Sequence, residues 1–287
     1  RPMVHEAPFE AWRFDVDGSI RDFAGNMSTR RVALSQGQLT VRGDQRAVTV
    51  TGPIRAGDSV IPNVRWTEHI GRIVALDDFD LEIAASLREH LRIPGMGETT
   101  VRRFRDKLAM RMCAHEAGIA VPEFVHVLNH ARIQRFIDKV PAPWVLKPRS
   151  FAGSIGIKKI SSVGELWPQL ESLGDDQPHY LLERYAPGDI FHVDSIVYER
   201  EVRFAVASGY GRPPLDVAQG GGIFTTSILE HGSEKEQQLL ELNKDLLKAL
   251  GMVRGVNHTE YIIGHDGRIY FLETSARVGG AHIAELV

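Results

Sequence analysis

The chain has 287 residues, a mass of 32.0 kDa and a net charge of −3 from 34 basic and 37 acidic side chains, with 43% hydrophobic and 25% charged residues. That length suits one large domain or two or three small lobes, and the ordinary globular balance excludes disordered, collagen-like and coiled-coil readings. There is no basic excess to favour nucleic acid, Cys113 as the sole cysteine rules out an intrachain disulfide and suggests a reducing, cytoplasmic setting, and neither an apolar run long enough for a membrane span nor a leader pattern is present.

Residues 1 to about 70 are rich in turn signals. Asp17-Gly18 between WRFDV and SIRDF, and Arg42-Gly43-Asp44 between QLTV and QRAVTV, predict two hairpins. From Gly71 the stretch RIVAL reads as a short strand. DDFDLEIAASLREHL then reads as a helix with Phe79, Leu81, Ile83, Ala84, Leu87 and Leu91 at helical spacing, so an N-terminal α/β region is expected. Thr99 or Thr100 could cap a second helix that runs to Ala117 and stops at Gly118, its Arg102, Arg103, Arg105, Lys107 and Arg111 forming a solvated basic face.

WVLKP, RSFAGSIG and IKKI read as strand, glycine-rich loop and strand. A helix at 162–173, a strand at YLLERY, a hairpin at 191–208 turning near Glu199 and a helix at 233–250 ending at Gly251 follow. The last clear element is the hairpin NHTEYIIGHDGRIYFLETS. Beyond it, Ala281 to Val287 has the pattern of a helix beginning, which suggests a longer protein.

That last hairpin carries the strongest chemical signal. A two-residue turn at Asp266-Gly267 sets 265 opposite 268 and therefore Glu260 opposite Glu273, two carboxylates on one face among apolar neighbours. Such a pair needs a proton or a cation between its members, and a hard divalent ion such as Mg2+ satisfies it. Alternation puts His258, Ser275 and Arg277 on the same face; a register slipped by one residue would send one glutamate to solvent. Lys147, followed by the loop Arg149 to Gly156, offers a point charge and backbone N–H groups to a triphosphate, although an ordinary flexible hairpin fits that loop too. No P-loop, dinucleotide fingerprint or nucleophile elbow is present. His126 and His130 have zinc-compatible spacing but no third ligand.

Taken in order, FRDKLAMR, VLKPRSFAGSIGI, LLERYAPGDIFHVD, HTEYII and FLETSARVGG resemble the ATP-grasp superfamily of ligases across about residues 70–287. The resemblance implies an α+β fold in which two lobes enclose ATP: a pre-grasp region at 1–120, a small lobe with the lid at 121–190 and a large lobe at 191–287. It implies that Lys107 and Lys147 contact phosphates, and that Ser150, Gly153 and Ser154 belong to the lid. Glu183 would receive the adenine amino group, with the Arg184, Tyr185 and Ala186 backbone along the purine edge and Asp189 or His192 at the ribose. Glu260 and Glu273 would hold one or two Mg2+ or Mn2+ ions. Ser275 stands where many relatives have an asparagine ligand, and Arg277 would face an acyl-phosphate. The implied reaction is ADP-forming ligation of a carboxylate to an amine, with amino acids among the substrates and a homodimer left open. A carboxylase acting through carboxyphosphate and a non-catalytic nucleotide-binding domain are the alternatives.

Overall fold

The computed structural model describes the backbone of 14–27, 30–43, 48–56, 59–68 and of all residues from Gly71 except Ser154; side chains are described from Gly71, apart from Ser154 and Gln219. The chain divides into two compact units, Arg1–Ile73 with Leu87–Pro94, and Val74–Ser86 with Gly95–Val287.

In the first unit, β1 (Phe14–Met27), β2 (Arg30–Gly43), β3 (Val48–Ala56) and β4 (Ser59–Glu68) form an antiparallel meander in that order. The hairpin expected at Asp17-Gly18 does not form there. Both residues lie inside β1, opposite Thr40 and Leu39, because a continuous ladder outweighs a local turn signal. The chain reverses instead between Met27 and Arg30, and again between Gly43 and Val48, where a turn was expected; residues 44–47 lie outside the described ones. The described residues between 14 and 68 are thus all strand.

Gly71 to Leu76 forms no strand, and Val74 and Leu76 stand exposed. Helix α1 (Leu81–Leu91) buries Leu81, Ala84 and Ala85 and leaves Ile83 and Leu87 exposed, while Phe79 is exposed in the 3-10 turn Asp78–Asp80 before it. The expected long second helix is broken into α2 (Glu98–Val101), a 3-10 turn at Arg102–Phe104 and α3 (Lys107–Glu116). Asp106 causes the break: its backbone is extended and its side chain accepts from Leu108 N at 2.9 Å, an N-cap that makes Lys107 the first residue of α3.

The second unit also contains two sheets. In the first, β5 (Phe124–His126), β6 (Trp144–Pro148), β7 (Lys158–Ile160) and β8 (Tyr180–Arg184) are ordered β5-β8-β6-β7. Helices α4 (His130–Ile137) and α5 (Val163–Leu173) add Ile133, Leu166 and Leu170 to its core beside Trp144 and Leu146. In the second, β9 (Gly188–Tyr198), β10 (Glu201–Tyr210), β11 (Thr226–Ile228), β12 (Gly255–Gly264) and β13 (Ile269–Ser275) are ordered β11-β10-β9-β12-β13. Helix α6 (Pro214–Gly220) lies between β10 and β11 in the chain, and α7 (Glu234–Leu250) contacts β10 and β9. Ser233 caps α7 at its start, and Gly251 ends it at φ 85°, as expected. At Gly188 a Cβ would lie 2.2 Å from Ile263 O, so only glycine allows this approach of β9 to β12. No helix among the described residues is long and apolar enough to cross a membrane.

Candidate active site

Glu260 on β12 pairs with Glu273 on β13, as the hairpin spacing implied, but by a different route. The turn is one residue longer than expected: Gly264 N donates to Arg268 O at 2.9 Å, leaving His265, Asp266 and Gly267 as the loop, with Gly267 at φ 78°. On that register Glu260 would face Leu272. A one-residue bulge at Leu272, between the pairs Tyr261–Phe271 and Glu260–Glu273, restores the carboxylate pair. Leu272 and Glu273 consequently line the same cavity.

Cations converge on this pair. Lys107 Nζ lies 3.0 Å from Glu273 Oε2 and donates to Phe151 O at 2.6 Å, tying the start of α3 to the glycine-rich loop after β6. Burial pushes the Glu273 carboxyl up, yet Lys107 and Lys147 together hold it down to about 2, so it is ionised at neutral pH. Arg277, just beyond β13, is clamped by Asp78, whose Oδ2 accepts from Nε at 2.7 Å and from Nη2 at 2.6 Å, while Nη1 donates to Val278 O. Asp78, Lys107, Glu273 and Arg277 line a cavity of about 390 Å³ together with Phe151 to Gly153 of the glycine-rich loop.

A second cavity, with about 820 Å³ of empty space, is lined by Lys147, Glu183 to Ala186, Ile190, Ile262 and Leu272, and by Glu260 and Glu273 at one end. Its floor is an ion triad. Glu183 is 2% exposed and sits between Arg111 Nε and Lys147 Nζ, each at 2.5 Å. Burial raises the Glu183 carboxyl, but Arg111 and Lys147 outweigh it and keep the group below the usual carboxylate range. Burial lowers the Lys147 ammonium to about 8 against the pull of Glu183. Both Glu183 oxygens are thus paired with cations, and the residue still lines the cavity. Arg111 is fully buried, with its guanidinium 5.5 Å from the Phe271 ring centroid, and is no solvated basic side chain. Of the expected purine-edge backbone, Arg184 N already donates to Glu123 O at 2.8 Å and Tyr185 N to Pro143 O at 3.0 Å.

The structure places the other sequence-predicted residues as follows. His192 is fully buried, with Nδ1 2.6 Å from Asp194 Oδ2 and Nε2 2.7 Å from Thr226 Oγ1, and is not open to a ribose. Asp189 is exposed on β9, whereas its neighbours Gly188 and Ile190 line the larger cavity, so alternation turns it to the other face. Ser275 donates its hydroxyl to Asp78 Oδ1 and so braces Asp78, and it lines the same cavity as Glu273. Ser150 is exposed, Gly153 lines the smaller cavity at φ 66°, and Ser154 lies outside the described residues. Glu260 and Glu273 remain as the oxygen donors that could hold a divalent cation, and opposed carboxylates, as hard oxygen ligands, fit that role.

The architecture matches solved structures over roughly three quarters of the chain. An L-amino acid ligase from Bacillus licheniformis superposes with TM-score 0.59 at 22% identity, covering 75% of this chain and 51% of that one. A carboxyaminoimidazole ribonucleotide synthase complexed with ATP gives 0.57 at 18% identity, covering 71% and 52%. The chain has the ATP-grasp fold of these neighbours. By sequence the chain is 26% identical over 222 residues to an L-arginine-specific L-amino acid ligase of Bacillus subtilis, covering 75% of this chain and 53% of that protein. It is 24% identical over 270 residues to the D-alanine–D-alanine ligase of Pseudomonas fluorescens strain Pf0-1, covering 90% and 81%. The chain therefore spans about half the length of the amino acid ligases it resembles. No family model matches it.

Within this ATP-grasp framework, sequence reasoning missed Asp78, Arg111, Tyr210 and the role of His258. His258 Nδ1 lies 2.9 Å from Asp194 Oδ1, and its Nε2 lies 3.6 Å from Glu260 Oε1. Burial lowers the imidazolium, but Asp194 and Glu260 raise it to about 9. The placement of His258 on the Glu260 face was the one local signal available. Asp78 and Arg277 are 199 positions apart and carry no such signal.

Proposed function

We propose that the chain is the nucleotide-binding part of an ATP-dependent, ADP-forming carboxylate–amine ligase that joins amino acids. The opposed Glu260 and Glu273, ringed by Lys107, Lys147 and Arg277 between two adjoining cavities, carry the reading. The small lobe is 121–190 and the large lobe 191–287, a boundary that falls inside β9 near its start at Gly188. The purine lies in the larger cavity against Ile190, Ile262 and Leu272, with the Ala186 backbone at its edge. The triphosphate runs toward Glu273, and the carboxylate substrate enters the smaller cavity. The protein works in the cytoplasm on small-molecule substrates.

Glu260 and Glu273 would hold Mg2+, which supplies positive charge to the β- and γ-phosphate oxygens. A substrate carboxylate oxygen attacks the γ-phosphorus and ADP leaves; an amine nitrogen then attacks the acyl carbon, loses a proton and expels inorganic phosphate. The first step asks the protein for positioning and charge, not for a covalent partner. Lys107 and Lys147 neutralise phosphate oxygens. Asp78 orients the Arg277 guanidinium toward the transferred group, and the Phe151 to Gly153 segment, held at Phe151 O by Lys107, excludes water.

The deciding experiment is phosphate release by the full-length protein with ATP, Mg2+ and a panel of amino acids and other carboxylates. Release that requires both a carboxylate and an amine is expected; release driven by bicarbonate alone would transfer the assignment to a carboxylase, and ADP binding with no release under any condition would reduce the protein to a nucleotide-binding domain. Lys147→Ala removes a charge-assisted contact and should weaken calorimetric ADP affinity by about 10- to 100-fold. Unchanged affinity would remove Lys147 from the phosphate site.

A further inference from the structure

The mechanism above makes no use of a buried polar chain that leads away from Glu260. Tyr210, the last residue of β10, donates its hydroxyl to Glu260 Oε1 at 2.8 Å and lies 3.3 Å from His258 Nε2. Its ring is packed between His192 and Phe224, with centroids 4.7 and 5.0 Å away. Asp194 accepts from the Nδ1 atoms of both His192, at 2.6 Å, and His258, at 2.9 Å. At the far end His192 meets Thr226, whose hydroxyl donates to Gly209 O, next to Tyr210. His192, Asp194 and His258 are all buried. Although their nitrogen and oxygen atoms lie close enough to suggest a metal centre of their own, hydrogen bonds within the chain already use both Asp194 oxygens. The group therefore reads as a scaffold.

A scaffold of this kind has one end that does chemistry. The ring packing fixes where the Tyr210 hydroxyl sits, and a buried phenol must find an acceptor. The one it finds is one of the two carboxylates suited to a cation. Hydrogen bonds to a liganding carboxylate set its orientation and are worth about 10- to 100-fold in metal affinity where they have been removed.

We infer that Tyr210 is a positioning residue for Glu260: it holds Oε1, through an orientation set by the His192–Asp194–His258 chain, so that Oε2 is presented to the divalent cation. This rests on the proposed nucleotide and cation site. It extends that site to β10 and β11, and so to the strands that flank α6 and the glycine run 220–222.

The test is Tyr210→Phe, which keeps the ring and removes the hydroxyl. ADP binding is measured by calorimetry without divalent metal and across a titration of Mg2+ or Mn2+. The metal concentration giving half-maximal enhancement of ADP binding should rise about tenfold or more, while ADP affinity without metal stays at the wild-type value. On a Glu260→Gln background the same substitution should change nothing further. A wild-type metal dependence in Tyr210→Phe overturns the inference, even if the melting temperature falls, since that pattern is purely structural. Equal weakening with and without metal overturns it too, by placing the effect on the nucleotide. Wild-type protein that binds no ADP under either condition sinks the ligase reading itself, and the inference with it.

Discussion

Glu273→Ala in the full-length protein is expected to lower ATP-dependent phosphate release at least about a thousand-fold, and Glu260→Ala to do nearly as much. Each glutamate supplies half of a two-carboxylate cation site, and the transition state of phosphoryl transfer is stabilised almost wholly by charge placed in advance. Glu273 is also the anion that holds Lys107, at 3.0 Å, at the edge of the lid. Its loss therefore removes a cation ligand and frees a phosphate contact together. The fold should survive, because replacing one glutamate relieves the repulsion between two carboxylates directly opposite in a ladder. A melting temperature within a few degrees of wild type, with ADP affinity that no longer responds to Mg2+, is the expected combination. Wild-type phosphate release by both variants would show that the pair does not hold the catalytic cation.

The second large effect is on stability. Arg111→Leu is expected to destabilise the protein by about 3 kcal/mol, measured by urea unfolding followed by tryptophan fluorescence. Removing one partner of a buried ion pair typically costs 3 to 5 kcal/mol, and the lower end applies because Lys147 still faces Glu183 at 2.5 Å. Combining Arg111→Leu with Glu183→Gln should be less damaging than the sum of the two single changes, since the stranded charge is then gone. Strict additivity would mean that the Arg111–Glu183 contact contributes nothing. A side effect is expected on nucleotide binding as well. With Arg111 absent, Glu183 pulls Lys147 more strongly, and the ammonium is less available to a phosphate.

The two regions differ in how much of them could be read in advance. The carboxylate pair was legible because a hairpin is a local object, in which turn chemistry and two-residue alternation decide what lies opposite what. Even there the agreement had two compensating parts: the three-residue loop closed by Gly267 moves the register by one, and the Leu272 bulge moves it back. The same strand-and-turn reasoning failed at Asp17-Gly18, where a long ladder overrode the turn. It failed again at Gly71 to Leu76, where no strand forms from an apolar run. The helix that was expected to be continuous split at Asp106, a residue that competes for the backbone as a cap and also binds Arg149 with both oxygens.

Ionic partners were the part that local pattern could not supply. Arg111 has the look of a surface arginine on a basic helix, and only its ion pair with Glu183 of β8 reveals a buried carboxylate waiting for it. His192 suited a ribose by its place in a motif and turned out to be enclosed beneath Tyr210. From its own residues the chain determined the strand–loop–strand around Lys147, the capped α7 and the opposition of Glu260 to Glu273, because hydrogen-bond spacing and side-chain alternation act over a few positions. Tertiary structure alone decided that Asp78 clamps Arg277, that Glu183 is shared by Arg111 and Lys147, and that Tyr210 reaches Glu260. Charges and hydroxyls separated by 36 to 199 positions meet only after the sheets have packed and desolvated them, and nothing in the neighbouring residues records which partner each will find.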